Sequence, residues 1–323
     1  EAVMKFLHQY YLNGDKTSIQ LDRDKAAAPA LDGASLWQHL DLNQVESKEW
    51  LRNDANIDKL TFQALSAEET RPRSFAAHGG LLVVLRGVNH NPGEDAEDMV
   101  SIRVWVEKDR ILSARVRKML AIQDIVDTMN DNTGPRSPGE FLTNLIESLA
   151  NRIGDFVNRL EDELGEIEDH LETIAPDQMR AQLGSLRRQI ASVRRFLAPQ
   201  RDALDRLYHI DSDILNDRDR QRLREESDRV SRYLEDLDLA RERAIVLQEA
   251  FLSQLAQQQN SRMYVLSIVA AIFLPLTFVT GLLGMNVGGL PGINNVNGFL
   301  IAVVIMFIAT GLITLFFKFK KWI

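Results

Sequence analysis

The sequence predicts an α/β domain, a long helical stalk and two C-terminal transmembrane helices, in that order along its 323 residues. Short β-branched runs lie within the first 130 residues. Longer stretches follow with apolar residues three and four positions apart, and two uncharged apolar runs lie near the end. We therefore expect three parts: an α/β domain at 1–130, a helical bundle and stalk at 131–262, and a transmembrane domain at 263–323.

The first part combines strands with short helices. The runs LLVVLRGV, MVSIRVWV and RILSAR predict strands at 81–88, 99–106 and 110–115. Weaker patterns predict strands at 3–12, 17–21 and 34–40, and helices at 44–54, 57–66 and 119–130. The turn-rich stretch NDNTGPRSPG, at 130–139, ends this part.

Two long amphipathic helices are expected next. Ser137 fits the N-cap of the first helix, with Pro138 at the first helical position and Glu140 completing a capping box. Apolar residues recur three or four positions apart in both helices, which predicts that the helices pack along one seam. These residues are Leu142, Leu145, Leu149, Ile153, Phe156, Leu160, Leu164, Ile167 and Leu171 in the first helix, and Met179, Leu183, Leu186, Ile190, Val193, Leu197, Leu204 and Leu207 in the second.

A third helix is expected from about Arg218, because no Gly or Pro follows until Pro275. Apolar residues recur in it every seven positions, a pattern that favours helical neighbours. The pattern continues into the first uncharged run without a break, which predicts one rod of about 100 Å at 1.5 Å per residue. The heptad residues are Leu223, Val230, Leu237, Ala244 and Phe251, with Leu234 and Leu255 extending the seam.

The two uncharged runs, at about 263–283 and 298–317, have the roughly 20 residues needed to cross a ~30 Å hydrocarbon core. The alternative is a pair of buried helices in a soluble protein. Arg262 precedes the first run, and Lys318, Lys320 and Lys321 follow the second, whereas the loop between them has no charge. This basic excess predicts that both ends of the chain lie in the cytoplasm and that the loop lies outside. The parts at 1–130 and 131–262 would then be cytoplasmic.

Composition excludes several kinds of site. The sequence has no cysteine, which excludes disulfides, zinc-thiolate sites and a cysteine nucleophile. Residues 1–262 hold all 46 acidic residues and 35 of the 38 basic ones, a formal charge of −11. Without a nucleophile elbow, metal triad or phosphate loop, the sequence favours neither an enzyme nor a cofactor, and we expect no nucleic-acid partner. The six histidines lack metal-type spacing and are interpreted as surface or packing residues: His8, His39, His78, His90, His170 and His209.

A narrow stripe of small, polar or flexible residues runs along the first span. Two interpretations are open, since such a stripe serves helix packing or lines a polar path built from several copies of the chain. The uncharged stretch AFLSQLAQQQNS, at 250–261, likewise fits a solvated helix face or a neutral vestibule. The stripe consists of Asn260, Met263, Ser267, Ala270, Leu274, Thr277 and Gly281.

The tripeptide Gly284-Met285-Asn286 follows the long stalk and the first span, and a short loop, a second span and a basic end come after it. In this position it resembles the signature of the CorA metal ion transporter family. The resemblance covers the whole chain. Several stretches are similar to the ZntB-like zinc transporter branch: ETRPR (69–73), LLVVLRGVN (81–89), EDMVSIRVW (97–105), FLAPQRDAL (196–204) and NVGGLPG (286–292).

The resemblance implies a funnel-shaped homopentamer in a bacterial inner membrane, with stalk helices around a pore for divalent cations. It implies zinc uptake linked to protons, with zinc as the transported ion rather than a cofactor. Lipid and further copies of the chain would be the partners. At the outer mouth, Asn286 would form a ring that Gly284 and Met285 shape.

Further pore residues are also implied by the resemblance. Met263 and Leu274 match apolar constrictions, and Ser267 lies on the same stripe. Asn260 and Thr277 match polar rings, and Gly281 allows close approach of neighbouring helices. The residues that resemble the basic collar of the family, at the cytoplasmic pore end, are Lys318, Lys320 and Lys321.

Two alternatives compete with zinc uptake. A magnesium channel of the CorA type, or one for cobalt or nickel, would suit an oxygen-only lining, because tight zinc sites use His or Cys. The loop without an acidic residue argues against magnesium. A membrane-anchored helical scaffold or sensor would explain the heptads but not the Gly-Met-Asn mouth. Residues 263–317 contain no ionisable Asp, Glu, His, Lys or Arg, so proton coupling would use water or titrating groups in the cytoplasmic part.

Overall fold

The computed structural model describes residues 5–14, 19–24, 33–68, 70–171, 173–285 and 296–320. The chain forms two compact units, Glu1–Gln248 and Glu249–Ile323. The three-part division at residues 130 and 262 stays a prediction.

In the described part of the first unit, seven strands form one mixed sheet with the order β2-β1-β3-β7-β6-β5-β4. The pair β3 and β7 is parallel, and the other neighbouring strands are antiparallel. The strands are β1 (His8–Leu12), β2 (Ile19–Gln20), β3 (Ser35–Asp41), β4 (Arg73–Ala77), β5 (Gly80–Gly87), β6 (Val100–Val106) and β7 (Arg110–Arg115).

Six of these strands lie where the sequence predicts strands, although β2 is only two residues long. The prediction missed β4, which pairs with β5. The turn between these strands is His78–Gly79, whose φ angles of 45° and 83° are both positive. Two-residue hairpin turns of this kind match the right-handed twist of the strands. Gly80 then starts β5 against the Trp105 ring, which leaves no room for a Cβ atom.

Two short helices, α1 (Val45–Asn53) and α2 (Lys59–Ser66), contribute to the core on one face of the sheet. Asp58 caps α2 by accepting hydrogen bonds from the backbone N–H groups of Leu60 and Thr61. Both helices were predicted. The core that they share with the sheet includes Leu40, Leu51, Leu65, Leu82, Trp105 and Leu112.

Longer helices pack against the opposite face. These are α3 (Leu120–Asn130), α4 (Pro138–Asp169) and α5 (Pro176–His209). The ring of Phe141 in α4 lies 4.9 Å from that of Trp37. The Ser74 hydroxyl donates to the carbonyl of Ala203 in α5 at 2.6 Å. The predicted apolar seam is confirmed, because the named positions of α4 and α5 are buried apart from Leu171, which lies just beyond α4 and is half-buried.

The capping box of α4 is only partly as predicted. The Ser137 hydroxyl oxygen accepts the backbone N–H of Glu140 at 3.1 Å, as expected of an N-cap. The Glu140 carboxylate, however, accepts from the backbone N–H of Arg136 at 2.9 Å, one residue before the cap.

The last two helices are α6 (Asp217–Leu283) and α7 (Gly298–Phe319). The unbroken 67-residue course of α6 confirms the predicted continuous helix, and Pro275 lies inside it. Its predicted heptad is also confirmed, since Leu223, Val230, Leu237, Ala244 and Phe251 are all buried. Just inside its start, the Arg220 guanidinium donates to the carbonyls of Tyr208, Ile210 and Ser212, which ties α6 to the end of α5.

Candidate functional site

Two of the described helices, α6 and α7, contain a stretch long and apolar enough to cross a membrane. A core helix of a soluble protein passes the same test but is mostly buried. Here none of the 18 residues of the apolar window in either helix is buried. The alternative of two buried core helices therefore disagrees with the structure, and lipid or further protein must cover these apolar surfaces.

The predicted stripe lies on the exposed surface of α6, which also includes residues outside the stripe such as Leu266 and Phe273. All seven residues of the stripe are exposed, including Leu274 at 70%. A helix turns by about 100° per residue, so the stripe points away from most of the partly buried residues of the same segment. These are Ile268, Ile272, Leu276 and Val279, whereas the partly buried Ala271 lies beside Ser267 of the stripe. The described part of the second unit thus leaves the stripe uncovered.

The hydroxyl groups of the stripe present oxygen lone pairs. The Ser267 hydroxyl donates to the carbonyl of Met263 at 2.8 Å, and the Thr277 hydroxyl donates to that of Phe273 at 2.8 Å. Each hydroxyl proton is thereby used within the helix. The remaining lone pairs are acceptors, which suit a cation or the water around it. Gly281, on the same face, has no atom within 4 Å of a would-be Cβ, so nothing described in this chain requires a glycine there.

The candidate mouth follows the end of α6 at Leu283. The backbone N–H of Gly284 donates to the carbonyl of Thr280 at 2.9 Å, which extends the last turn to Gly284. Met285 is exposed. Asn286 and the rest of NVGGLPG lie outside the described residues. Of the predicted basic collar, Lys318 lies in the last turn of α7 and Lys320 just after it, whereas Lys321 lies outside the described residues.

Among the described residues, no group of three or more His, Asp or Glu side chains is arranged to hold a metal ion. His39 is a packing residue, as predicted. It is fully buried in the sheet, and its Nδ1 lies 2.8 Å from the Ser113 hydroxyl, which also accepts from the Trp37 indole at 2.8 Å. Burial, together with the nearby Arg115 and His8, holds the pKa of His39 well below its usual range. The ring is therefore neutral at physiological pH.

Sequence reasoning missed a polar seam between α4 and α6. Arg222 donates to Thr143 at 3.0 Å, to Asn144 at 2.7 Å and to Glu147 at 2.5 Å. One heptad later, Arg229 donates to Asn151 at 2.6 Å. The signal available in the sequence was the seven-residue spacing of these polar side chains, next to the apolar heptad. We define the polar seam as Gly139, Glu140, Thr143, Asn144, Glu147, Asn151 and Gly154 on α4, with Asp219, Arg222, Glu226, Arg229 and Tyr233 on α6.

Comparison with known proteins assigns the family. The profile of the family described as "CorA-like Mg2+ transporter protein" matches residues 32–321. The chain belongs to the CorA family. It is therefore a divalent cation transporter, and its predicted family resemblance is confirmed.

Two curated CorA-family relatives are similar over most of their length. The chain is 36% identical over 305 residues to the divalent cation transporter CmaX of Pseudomonas aeruginosa, covering 92% of this chain and 90% of the relative. It is 34% identical over 318 residues to the zinc transport protein ZntB of Yersinia pseudotuberculosis, covering 98% of this chain and 95% of the relative. The two identities are nearly equal, so identity alone does not select the predicted zinc branch.

Solved structures confirm the fold. The full-length CmaX protein matches with a TM-score of 0.86 at 36% identity, covering 100% of this chain and 99% of that one. The CorA magnesium transporter of Methanocaldococcus jannaschii matches with a TM-score of 0.83, covering 98% of both chains. At 20% identity the second match bears on the fold alone. An α/β domain, long helices and two C-terminal apolar helices are thus common to these proteins.

Proposed function

We propose that this CorA-family chain forms a homopentameric pore in a bacterial inner membrane and carries zinc into the cytoplasm. The observation that supports this proposal is the exposed face of α6, which presents hydroxyl lone pairs at Ser267 and Thr277. The described part of a single chain has two helices long and apolar enough to span a membrane, and one face of one helix cannot surround an ion. Five copies of this face, arranged around a common axis, would surround the ion. Both termini and the first unit would be cytoplasmic, in accord with the basic flanks of the spans.

Each predicted site residue has a role in this proposal. Asn260 and Thr277 form polar rings, and Met263 and Leu274 form apolar constrictions. Asn286 forms the outer ring, beside Gly284 and Met285. Five amide oxygens there would hold the water shell of the ion without removing it, and weak binding lets an ion leave as well as enter. Gly281 permits close approach of helices, and Lys318, Lys320 and Lys321 form a basic collar at the cytoplasmic end.

Zinc is favoured over magnesium by two observations. A zinc transport protein is among the relatives with 34% identity. The loop at 286–292 also carries no acidic residue. The oxygen-only lining suits a hydrated ion of either kind, and the family profile, which describes magnesium transporters, keeps magnesium as the second candidate. A divalent ion that crosses 100 mV toward the negative inside gains about 4.6 kcal/mol, which favours uptake.

Flux measurements with the purified chain in liposomes test this proposal. We expect zinc uptake that falls on Asn286→Ala, whereas Asn294→Ala, in the same loop but outside the tripeptide, serves as the matched control. Magnesium flux that exceeds zinc flux would support the second candidate. No flux of either ion would favour a scaffold or sensor, and flux that ignores the substitution would remove Asn286 from the mechanism.

Proton linkage forms part of the same proposal. Because residues 263–317 have no ionisable Asp, Glu, His, Lys or Arg, linked protons would bind in the cytoplasmic unit or move through water. Zinc uptake is measured with and without an imposed pH gradient. Uptake that ignores the gradient would show that transport is not linked to protons.

A further inference from the structure

The start of α6 buries a carboxyl group against the first turn of α4. Asp219 is only 3% exposed. Its carboxylate lies where a side chain on Gly139 would be, and the carbonyl of Ile214 lies 2.6 Å from the same position. The backbone N–H of Asn216 donates to this carboxylate at 3.3 Å. Glycine at position 139 therefore lets an acidic side chain approach the backbone of α4 directly.

A second carboxyl group is buried seven residues later. Glu226 is 8% exposed and forms an ion pair with Arg229 at 3.0 Å. It lies near Glu147 of α4, which itself pairs with Arg222 at 2.5 Å. Both buried acids of α6 thus face an acidic residue of α4: Asp219 faces Glu140, and Glu226 faces Glu147.

The surroundings favour the neutral form of both groups. Burial raises the pKa of Asp219, and the charge of Glu140 raises it further. The Asn216 amide, Arg222 and Arg218 act in the opposite direction. Burial also raises the pKa of Glu226, and the charge of Glu147 raises it further. Arg229 and Arg222 lower it. Charged carboxylates are costly to bury, and a like charge nearby increases the cost.

We propose that Asp219 and Glu226 are proton-binding groups that tighten α6 onto α4 when the cytoplasm becomes more acidic, and that transport responds to cytoplasmic pH through them. Protonation would remove two buried charges and both acid–acid repulsions across the seam. Arg222 and Arg229 would keep their bonds to Thr143, Asn144 and Asn151. Because α6 continues unbroken to Leu283, it contains both its side of the polar seam and the stripe that is proposed to line the pore. The transport part of this inference rests on the proposed function.

The sign of the effect follows from the direction of the pKa shifts. A raised pKa means that the folded protein binds protons that the unfolded protein does not. The seam is therefore weakest above the raised pKa values. It strengthens as the pH falls through them toward the ordinary carboxyl range of about 4. His39 and His8 of the same unit have lowered pKa values and act in the opposite direction, so a local probe is needed.

Hydrogen exchange of the full-length chain in detergent provides this probe. After correction for intrinsic rates, we expect protection of residues 217–233 to rise roughly three- to tenfold as the pH is lowered stepwise from 8 toward 5, since each pKa unit corresponds to a factor of ten. The variant Asp219→Asn/Glu226→Gln should lose this dependence, whereas the exposed-site control Asp228→Asn should keep it. A double variant with the wild-type pH dependence would overturn the proposal.

Two further measurements separate this inference from the proposed function. Glu147→Gln keeps an acceptor for Arg222 but removes the charge facing Glu226, so the exchange transition should move to lower pH. An unmoved transition would exclude this electrostatic origin.

In liposomes loaded at different internal pH, zinc flux through the double variant should lose its pH response. If the response persists, the seam does not control transport. If no variant carries zinc, hydrogen exchange still tests the seam.

Discussion

The phenol oxygen of Tyr233 lies against Gly154, at the position that a Cβ atom on residue 154 would occupy. Arg229 donates to this oxygen at 3.1 Å and also to Asn151. The tyrosine therefore cannot move away without breaking a hydrogen bond of the polar seam. Together with Gly139 and Asp219, this contact fixes the register between α4 and α6 at two points two helical heptads apart along α6.

We predict that Gly154→Ala destabilises the protein, by about 1–3 kcal/mol of overpacking offset by up to ~1 kcal/mol of helix propensity. The free energy of unfolding of the full-length chain in urea measures this. Adding Tyr233→Phe should recover part of the loss, because it removes the nearest atom while the ring carbon Cζ still lies 2.8 Å from the Cβ position. Gly165→Ala, in the same helix with no atom within 4 Å of its Cβ position, is the control and should not destabilise. Equal effects at the two glycines would contradict the contact.

A second prediction concerns acid sensitivity. His39 is buried and neutral, and burial, with Arg23 and Arg115, lowers the pKa of the nearby His8 to about 4. The unfolded chain protonates both near pH 6.5, so these residues make stability fall as the pH drops from 7 to 5. We expect His39→Gln to flatten this fall in urea unfolding. His209→Gln, at an exposed position, is the control. An unchanged slope in His39→Gln would show that another group dominates.

The long helices could be predicted from the sequence because their packing repeats. Between Leu223 and Phe251, an apolar residue recurs every seven positions. This pattern indicates a helix with one buried face. Strand β4 could not be predicted in the same way. Its residues RSFAA include no β-branched side chain, and its conformation depends on pairing with β5 across the His78–Gly79 turn.

The polar seam was missed for a different reason. In a sequence, Asp219 and Glu226 look like charges on a solvated helix face. The burial of both side chains depends on the approach of α4, and that of Asp219 depends also on Gly139, and these are features of tertiary structure. The stripe on α6 was predictable only in part. Residue spacing predicted the stripe, and the family resemblance predicted the roles of its residues. The structure added the hydrogen bonds that orient the hydroxyl groups of Ser267 and Thr277.

A third prediction tests these hydroxyl groups. If Thr277 faces the ion, Thr277→Val removes an acceptor from the path, and zinc flux should fall roughly fivefold, equivalent to ~1 kcal/mol for one polar contact. Thr280→Val is the matched control. Its hydroxyl likewise donates within α6, to the carbonyl of Thr277 at 3.0 Å, but lies off the stripe. Equal losses in the two variants would indicate a structural role for both hydroxyl groups.

The last prediction tests whether copies of the chain meet along α6. Val246 is 63% exposed, although it is apolar, and seven-residue steps lead from it to Ser253, Asn260 and Ser267. If the stripe faces a common axis, Val246 should face it too, because heptads keep one face toward helical neighbours. The chain has no cysteine, so Val246→Cys introduces a unique thiol. A short bismaleimide should link copies of this variant in native membranes, whereas Leu247→Cys, at a position only 7% exposed, should stay monomeric on a denaturing gel. Equal linking of both variants, or of neither, would contradict self-association through this face.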